Sequence, residues 1–450
     1  MQAEDALELE PERVAVGSVD ELHLGRSVLR LAWPVIAERF SFSLLAAVDG
    51  ILVGRYVGED GLAAVGLAAL LFGLPQTGII GLELGTTTAA SWDYGRGDGH
   101  RLADTLRSSL GMALLWGLLA VAVSLAFGGL ALRAMGLESD VRSEGVAYIQ
   151  LAAPGLLGLS LFAACAGALR GMGNSRFALY IMLLVNGLNA LITWLLISGA
   201  VGLELGTAAG GWGFGLSGLA GGTVALVAVS SGYAGVHVDL RRILAIRGNA
   251  ARRVLGQAIP VALEEVQFLA AFLTYARIIS ALGTDATAAH TVALRSTDIA
   301  IVAVFGLGTA ATALVGQAMG AGRVDLARQI AFAAQKFAVV AMVGLAILQF
   351  VAAPYIAALF TSDGAVAGEA AEALRTFAIA VPALGLYATV AGSLRGAGDV
   401  RFVLFILTVT AWGVRIPAAF IGAHVLEFGL AGHVPHQQQR VLAAGEGNRA

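Results

Sequence analysis

Eleven long apolar runs recur along this 450-residue chain, and they constrain its fold more than any other feature. A helix needs about 20 apolar residues to cross the hydrocarbon core of a bilayer, where each backbone amide must bond within its own segment. Charged residues make up only 13% of the chain, against roughly 25% in soluble domains. The sequence therefore predicts an all-α polytopic membrane protein. The runs lie near residues 29–53, 61–82, 108–134, 147–168, 177–201, 214–238, 254–281, 286–318, 330–360, 373–394 and 402–426.

Basic residues collect in alternate connections, those that follow the second, fourth, sixth, eighth and tenth runs. Cytoplasmic loops carry the excess of Lys and Arg, so this pattern predicts a multi-pass protein of the plasma (inner) membrane with a cytoplasmic N-terminus. Residues 1–26 are acidic and lack the basic start and apolar core of a signal peptide, which indicates a cytoplasmic tail. The basic residues concerned are Arg96, Arg101, Arg107, Arg170, Arg176, Arg241, Arg242, Arg247, Arg252, Arg253, Arg323, Arg328, Lys336, Arg395 and Arg401.

Composition also argues against several kinds of partner and cofactor. The net charge is −3 and the charges are scattered, so no nucleic-acid partner is predicted. The single cysteine, Cys165, permits neither a disulfide nor a cysteine-rich metal site. The glycine-rich stretches GRGDG and GAGR lack the lysine and hydroxyl residue of a phosphate-binding loop. We therefore predict no enzymatic activity, no metal and no cofactor.

Three segments of the chain occur twice, in the same order and at offsets near 225 residues. AWPVIAERF at 32–40 parallels AIPVALEEV at 258–266, which aligns Glu38 with Glu264. LGTTTAASWDYGRGDG parallels LGTAATALVGQAMGAG, and AGALRGMGNSRF parallels AGSLRGAGDVRF, which aligns Arg170 with Arg395. Short matches are common in a chain rich in Ala and Gly, but three at one offset are not expected by chance. A repeat of six helices has both copies entering from the same side, so they are parallel repeats.

The repeat predicts the domain organisation. The N-lobe, residues 27–238, contains helices 1–6, and the C-lobe, residues 254–432, contains helices 7–11. A basic cytoplasmic loop at 239–253 joins them. EFGLAG at 427–432 matches GFGLSG at 213–218, which opens the sixth helix, but the polar stretch 433–450 follows it. We therefore expect 11 of 12 helices, with a polar tail in place of the twelfth, from either a shifted reading frame or a natural truncation.

Across residues 27–432 the chain resembles the MATE (multidrug and toxic compound extrusion) transporters. The motifs that carry the resemblance are AAVDGILVGRYVGEDGLAAVGLA, GLGTAATALVGQAMGAGR, LRGMGNSRF and LRGAGDVRF. The resemblance implies a cation-coupled antiporter with two six-helix lobes around a central cavity. Helix 5 of the proton- or sodium-linked members carries an Asn followed four residues later by an Asp. Here Asn189 is followed by Thr193, so the site is one carboxylate short.

A carboxylate inside a membrane span is costly unless it is neutralised, paired or hydrated, so each one is a functional candidate. Asp49 lies well inside helix 1, where the resemblance places the coupling aspartate of the family. Glu38 lies eleven residues earlier, which puts it within about 20° of Asp49 on the same helix face. We predict cation coupling at Asp49 and Glu38, with Asn189 and Thr193. A helix-end position for Asp49 and a surface pair between Glu38 and Arg39 are the alternatives.

Other polar residues within the spans are predicted to line the substrate cavity. Asn186 lies in helix 5, where hydrogen bonding between helices is the alternative. Glu264 and Glu265 lie deep in helix 7, in which family members often have a functional carboxylate; pairing of one of them with an arginine such as Arg295 is the alternative. The cavity set is Asn186, Glu264, Glu265, Tyr275 and Asp298, although Asp298 can instead pair with Arg295 on one helix face.

These features together predict a secondary active antiporter that exports organic, cationic and amphipathic compounds by alternating access. The expected partners are small-molecule drugs or toxic organic cations and the lipid bilayer, with protons or sodium as the coupling ion and no obligate protein partner. Two alternatives stay open. Arg295 and Arg415 would suit a flippase for a lipid-linked pyrophosphate precursor, and loss of the twelfth helix would suit a transport-inactive remnant.

Overall fold

The computed structural model describes residues 21–136, 138–200, 202, 204–232, 235–281, 283–360 and 364–424, and within these ranges every regular element is helical. This confirms the predicted all-α class. Ten helices are long and apolar enough to cross a membrane. The first helix is not among these ten, and it carries the candidate residues Glu38 and Asp49. The predicted absence of a twelfth helix concerns residues 425–450, which lie outside the described part of the chain.

The helices follow one another with short connections. The last one, α11, is a continuous helical stretch in three parts, of which the middle part, Val409–Arg415, is π-helical. A short 3₁₀ turn, Leu240–Arg242, lies between α6 and α7. The helices are α1 (Glu21–Tyr56), α2 (Glu59–Gly95), α3 (Gly99–Ala134), α4 (Ser139–Gly171), α5 (Arg176–Ile197), α6 (Ala208–Ser230), α7 (Gly248–Ser280), α8 (Thr284–Gly320), α9 (Val324–Phe360), α10 (Gly364–Ala397) and α11 (Val400–Thr408, Val409–Arg415 and Ile416–His424).

Two predicted boundaries differ from the structure. The segment 239–253 was expected to be a loop, but α7 begins at Gly248, so its second half is helical. The chain is already helical at Glu21, within the stretch 1–26 expected to be a tail. In both places the polar and charged residues continue a helix beyond its apolar run, and apolar runs mark only the part of a helix that faces hydrocarbon.

The turns between helices reproduce the repeat. Asp98 caps α3 by accepting a hydrogen bond from the Arg101 amide at 2.9 Å, and Asp399 caps α11 in the same way through the Phe402 amide at 3.3 Å. The turn that follows α4 contains Gly173 with φ of +94°, a left-handed conformation that side chains other than glycine resist. Gly398, 225 residues later in the turn after α10, has φ of +99°. Equivalent sequence positions thus make equivalent turns.

Small residues set the packing within each half of the chain. α4 is the central helix of the first half and packs against α2, α3 and α6; α10, its counterpart, packs against α8 and α9. Gly158 of α4 lies directly against the Gly218 carbonyl of α6, where an added Cβ would overlap it. Lipid tails are as apolar as leucine, so association of membrane helices depends on such close backbone approach.

The two halves meet mainly at one end of the bundle. We call it the arginine-rich end, because the connections 96–98, 172–175, 321–323 and 398–399 and the segment 239–247 lie there. The second half of α2 packs along the start of α7, with Gly85 against Ala258. The start of α1 packs along the second half of α8, with Gly306 against Ile36. Both seams use a glycine of one half and an apolar residue of the other, as the repeat requires.

Replacing Gly158 by leucine should destabilise the protein, because the new side chain must push α6 away from α4. Overpacking of this kind costs about 1–3 kcal/mol. The measurement is the melting temperature of the detergent-solubilised protein. Gly187→Leu in α5 is the matched control, since an added Cβ there meets nothing within 4 Å. Equal melting temperatures for the two variants would contradict the packing described for α4 and α6.

Candidate functional site

Asp49 lies in a closed polar site between α1 and α5. Its side chain is only 1% exposed, and Asn189 and Thr193 beside it are fully buried. The Thr193 hydroxyl donates to Asp49 Oδ1 at 3.2 Å, and the Asn189 amide donates to Asp49 Oδ2 at 3.4 Å. Asn189 and Thr193 are four residues apart on α5, so both side chains face α1 from successive turns. The structure thus brings together three of the four residues predicted for cation coupling.

α6 closes the site from the other side. Gly213 of α6 packs directly on Thr193: an added Cβ would overlap the threonine hydroxyl and lie 3.1 Å from Asn189 Nδ2. Tyr148 of α4, which is 3% exposed, lies close enough to Asp49 to interact with its charge. The glycine therefore leaves the space in which Thr193 can turn its hydroxyl toward the carboxylate.

The electrostatics of this site are unusual for a buried carboxylate. Both oxygens of Asp49 accept hydrogen bonds, but the donors are neutral, and within the described residues no cationic side chain pairs with Asp49. The side-chain oxygen of Asn189 is buried beside it and has no donor there. An unpaired buried carboxylate is costly, so the arrangement favours uptake of a proton or a small cation. The available oxygens belong to Asp49, Asn189 and Thr193.

Glu38 lies in a separate ionic cluster nearer the arginine-rich end, made of Glu38, Arg39, Glu83 and Arg170. Arg170 of α4 is fully buried and donates to both Glu38 of α1 and Glu83 of α2. Arg39 also donates to Glu83, at 2.6 Å. Two arginines thus face two glutamates, so the cluster is neutral when all four are charged. The surface pair between Glu38 and Arg39 that the sequence suggested is replaced by these partners.

The C-lobe contains the counterpart of this cluster. Arg395 of α10 donates to Glu264 of α7 at 2.5 Å, and the repeat aligns these two residues with Arg170 and Glu38. The arginine suggested from sequence as the partner, Arg295, is on α8, and its side chain lies outside the described part of the structure. Glu265 is close enough to Arg395 and Arg39 to interact with both. The predicted cavity glutamates therefore lie at the seam between the lobes.

The remaining predicted cavity residues are dispersed. Asn186 donates to the Ser41 carbonyl at 2.9 Å and to the Met182 carbonyl at 3.1 Å, so its amide ties α5 to α1. Tyr275 lies near the other end of α7, where the Arg415 guanidinium stands 4.8 Å from the centre of its ring. The side chain of Asp298 lies outside the described part of the structure.

Two hydrogen bonds join the lobes at the arginine-rich end. The Trp92 indole donates to the Gly396 carbonyl at 2.7 Å, and the Gln317 amide donates to the Gly171 carbonyl at 2.8 Å. The two acceptors are equivalent in the repeat, and the donors end α2 and α8. We call this pair of bonds the inter-lobe latch. It closes the arginine-rich end.

An ion pair between the lobes adds to this closure. Arg253 of α7 donates to Asp93 of α2 at 3.1 Å and to the Thr105 hydroxyl of α3 at 2.9 Å. Thr105 in turn donates to Asp93 at 2.6 Å. Asp93 is fully buried, so the pair is protected from water on the carboxylate side.

Sequence reasoning missed Glu83 as a site residue. The second apolar run ends at residue 82, whereas α2 continues to Gly95, so Glu83 lies inside the helix. A carboxylate within a membrane helix is a functional candidate, and the full length of α2 makes Glu83 one as it does Asp49. Within the described residues no group of three His, Cys, Asp or Glu side chains could hold a metal ion.

Comparison with known proteins gives a consistent result. The MatE family model matches the chain twice, at residues 34–195 and 260–421. The chain is 23% identical to the probable multidrug resistance protein NorM of Thermotoga maritima, over 90% of this chain and 87% of that protein. It is 26% identical to a protein of the same description from Bradyrhizobium diazoefficiens, over 90% and 88%. A multidrug resistance MATE family transporter, solved in an outward-facing conformation, superposes with a TM-score of 0.83 at 23% identity, covering 90% of each chain.

Arg395→Gln should destabilise the protein strongly, because it leaves the buried Glu264 carboxylate without its cation. Removing one partner of a buried pair costs about 3–5 kcal/mol. The double variant Glu264→Gln, Arg395→Gln should be the more stable of the two, since neither charge remains. Unfolding in mixed detergent micelles measures both, with the exposed Arg401→Gln as the control. A double variant as unstable as Arg395→Gln alone would show that the ion pair is not what the site needs.

Proposed function

The chain belongs to the MatE family, and from this we propose that it is an antiporter that exports amphipathic organic compounds in exchange for a proton or a sodium ion. The relatives that match over most of their length are described as multidrug resistance proteins. Export of many different compounds would fit a binding surface made of largely apolar helices, because apolar surfaces accept many ligands. Predicted orientation places the arginine-rich end in the cytoplasm and the protein in the plasma membrane.

The observation that carries this proposal is that the side chains hydrogen-bonded to Asp49 are neutral. Glu38, Glu83 and Glu264 each pair with an arginine, whereas among the described residues Asp49 has only the neutral donors Asn189 and Thr193. A carboxylate in this setting is stabilised by a bound proton or cation. It can therefore hold the coupling ion in one conformation and release it in another. Thr193, in the position of the second carboxylate of the family motif, donates to Asp49 rather than repelling it.

The arrangement of the lobes supports a route for the ion. The latch, the Arg253–Asp93 pair and both glycine seams close the arginine-rich end. Asp49 lies seven residues before the end of α1 at Tyr56, so it is nearer the opposite end. In this conformation an ion would reach Asp49 from the opposite, extracytoplasmic side.

Export then requires the lobes to rock apart at the arginine-rich end. Ion binding at Asp49 removes the cost of burying a charge between α1, α5 and α6 and stabilises the closed site, which favours release of the exported compound outward. Opening on the cytoplasmic side breaks the latch and the Arg253–Asp93 pair and exposes the site for loss of the ion. The ionic clusters around Arg170 and Arg395 keep each lobe rigid while this happens.

Asp49→Asn should abolish transport driven by an ion gradient, because the amide keeps the shape of the side chain but cannot exchange a proton or neutralise a cation. Export of a fluorescent amphipathic dye from reconstituted vesicles, with an imposed proton or sodium gradient, measures this. The matched control is Asp60→Asn, which removes an exposed carboxylate in the first turn of α2. Full gradient-driven export by Asp49→Asn would exclude Asp49 as the coupling residue.

A disulfide across the seam should block transport. An added Cβ at Gly316 of α8 would lie 3.0 Å from Ser91 Cβ of α2, close to the separation of about 3.5–4.5 Å that a disulfide spans. Oxidation of the variant Ser91→Cys, Gly316→Cys should stop dye export, and reduction should restore it. Dye export by each single cysteine variant should not respond to oxidation. The native Cys165 is buried, so it should not form the disulfide. Undiminished export by the cross-linked protein would mean that the arginine-rich end need not open.

A further inference from the structure

Arg415 is a cation inside a membrane span without an anion beside it. It ends the π-helical segment of α11, within the apolar stretch Val400–Gly422. Its guanidinium lies over the ring of Tyr275 of α7, and in the described part of the chain no carboxylate pairs with it. Charged residues within spans are expensive and mark binding sites or pathways by default. The side chain is exposed.

Tyr275 and Arg415 occupy the C-lobe positions that the repeat aligns with Asp49 and Asn189 of the N-lobe. The offset of 226 that aligns Glu38 with Glu264 also aligns Asp49 with Tyr275. The two matches of the family model, 34–195 and 260–421, end at the same offset, and it aligns Asn189 with Arg415. The N-lobe pair is a carboxylate and an amide; the C-lobe pair is an aromatic ring and a guanidinium. The two lobes therefore hold equivalent sites of opposite charge.

The local structure of α11 positions this guanidinium. The Thr408 hydroxyl donates to the Gln267 side-chain oxygen at 2.7 Å, which fixes the start of the contact between α11 and α7. The π-helical segment Val409–Arg415 follows at once. A π-helical turn accommodates one extra residue and is frequent at functional sites. The offset between lobes rises from 225 at Arg170 and Arg395 to 226 at the end of the family match, as one extra residue requires.

His290 of α8 supplies a second polar group. Its ring lies 5.4 Å from the ring of Tyr275, centre to centre, at an angle of 55°. The Nε2 atom of His290 is buried and has no hydrogen-bond partner in the described part of the chain. Tyr275 thus neighbours both the guanidinium of Arg415 and an imidazole whose Nε2 has no partner among the described residues.

We propose that Arg415, Tyr275 and His290 form a C-lobe site for the carboxylate of an exported compound. A guanidinium binds a carboxylate through two parallel hydrogen bonds, and an aromatic frame attached to that carboxylate can pack on Tyr275. This inference rests on the proposed export function and narrows its substrate class. The class is amphipathic aromatic compounds that carry a carboxylate, including zwitterions whose amine faces the N-lobe.

A matched pair of rhodamine dyes tests the site: the zwitterionic free acid and its cationic methyl ester, which differ only in the carboxylate. Fluorescence anisotropy with the purified full-length protein measures binding of each dye, and export from reconstituted vesicles measures transport. Arg415→Gln should weaken binding of the free acid about tenfold or more and leave the ester within about twofold. Arg415→Lys should bind the free acid with intermediate affinity, because it keeps the charge but loses the planar fork.

Arg401→Gln, at the exposed start of the same helix, is the control and should bind both dyes as the unmodified protein does. If a well-folded Arg415→Gln protein loses affinity for both dyes equally, or for neither dye, the proposed carboxylate site is wrong. If the free acid binds in an Arg415-dependent way but neither dye is exported, the site stands and the export function fails. If the ester is exported normally and the free acid binds without regard to Arg415, the function stands and the site fails.

Discussion

A charge inside the hydrocarbon layer must be neutralised, and this constraint orders the polar interior of the protein. The fully buried Arg170 neutralises Glu38 and Glu83 and ties α4 to α1 and α2. Arg395 does the same for Glu264 in the second half. These pairs fix the helices that surround them, because losing one partner leaves an unpaired buried charge. In the described part of the chain neither Asp49 nor Arg415 has an oppositely charged side chain paired with it, and we propose these two as binding groups.

The duplicated architecture explains how such sites can be joined to a conformational change. Each lobe is built around a central helix, α4 or α10, and the two lobes meet along glycine-lined seams at one end. The latch bonds of Trp92 and Gln317 are few, so this end can separate without unfolding either lobe. An equilibrium between two such arrangements responds only to ligands that bind one better than the other. The Asp49 site has that property if its ion is lost when the closed end opens.

The length of the apolar runs predicted the helices, and the resemblance to the MATE family suggested that Asp49 lies near Asn189 and Thr193. The sequence did not predict the partners of residues whose contacts depend on packing between distant helices. Glu38 shares a helix face with Asp49, yet its partner is the buried Arg170 of α4, which the sequence pattern had assigned to a connection between helices. Glu83 was missed because an apolar run ends before its helix does. The repeat aligns Asp49 with the neutral Tyr275, but the alignment alone could not show that the Arg415 guanidinium lies over that ring.

We propose that an ion and the exported compound compete for binding through Asp49. The most direct measurement is ion release: a transported dye is added to purified protein in weakly buffered detergent solution, with a pH indicator and a sodium-selective electrode as readouts. A proton or a sodium ion should be released from the unmodified protein as the dye binds, and none should be released from Asp49→Asn. Saturating dye binding to the unmodified protein with no ion released would contradict competition at Asp49.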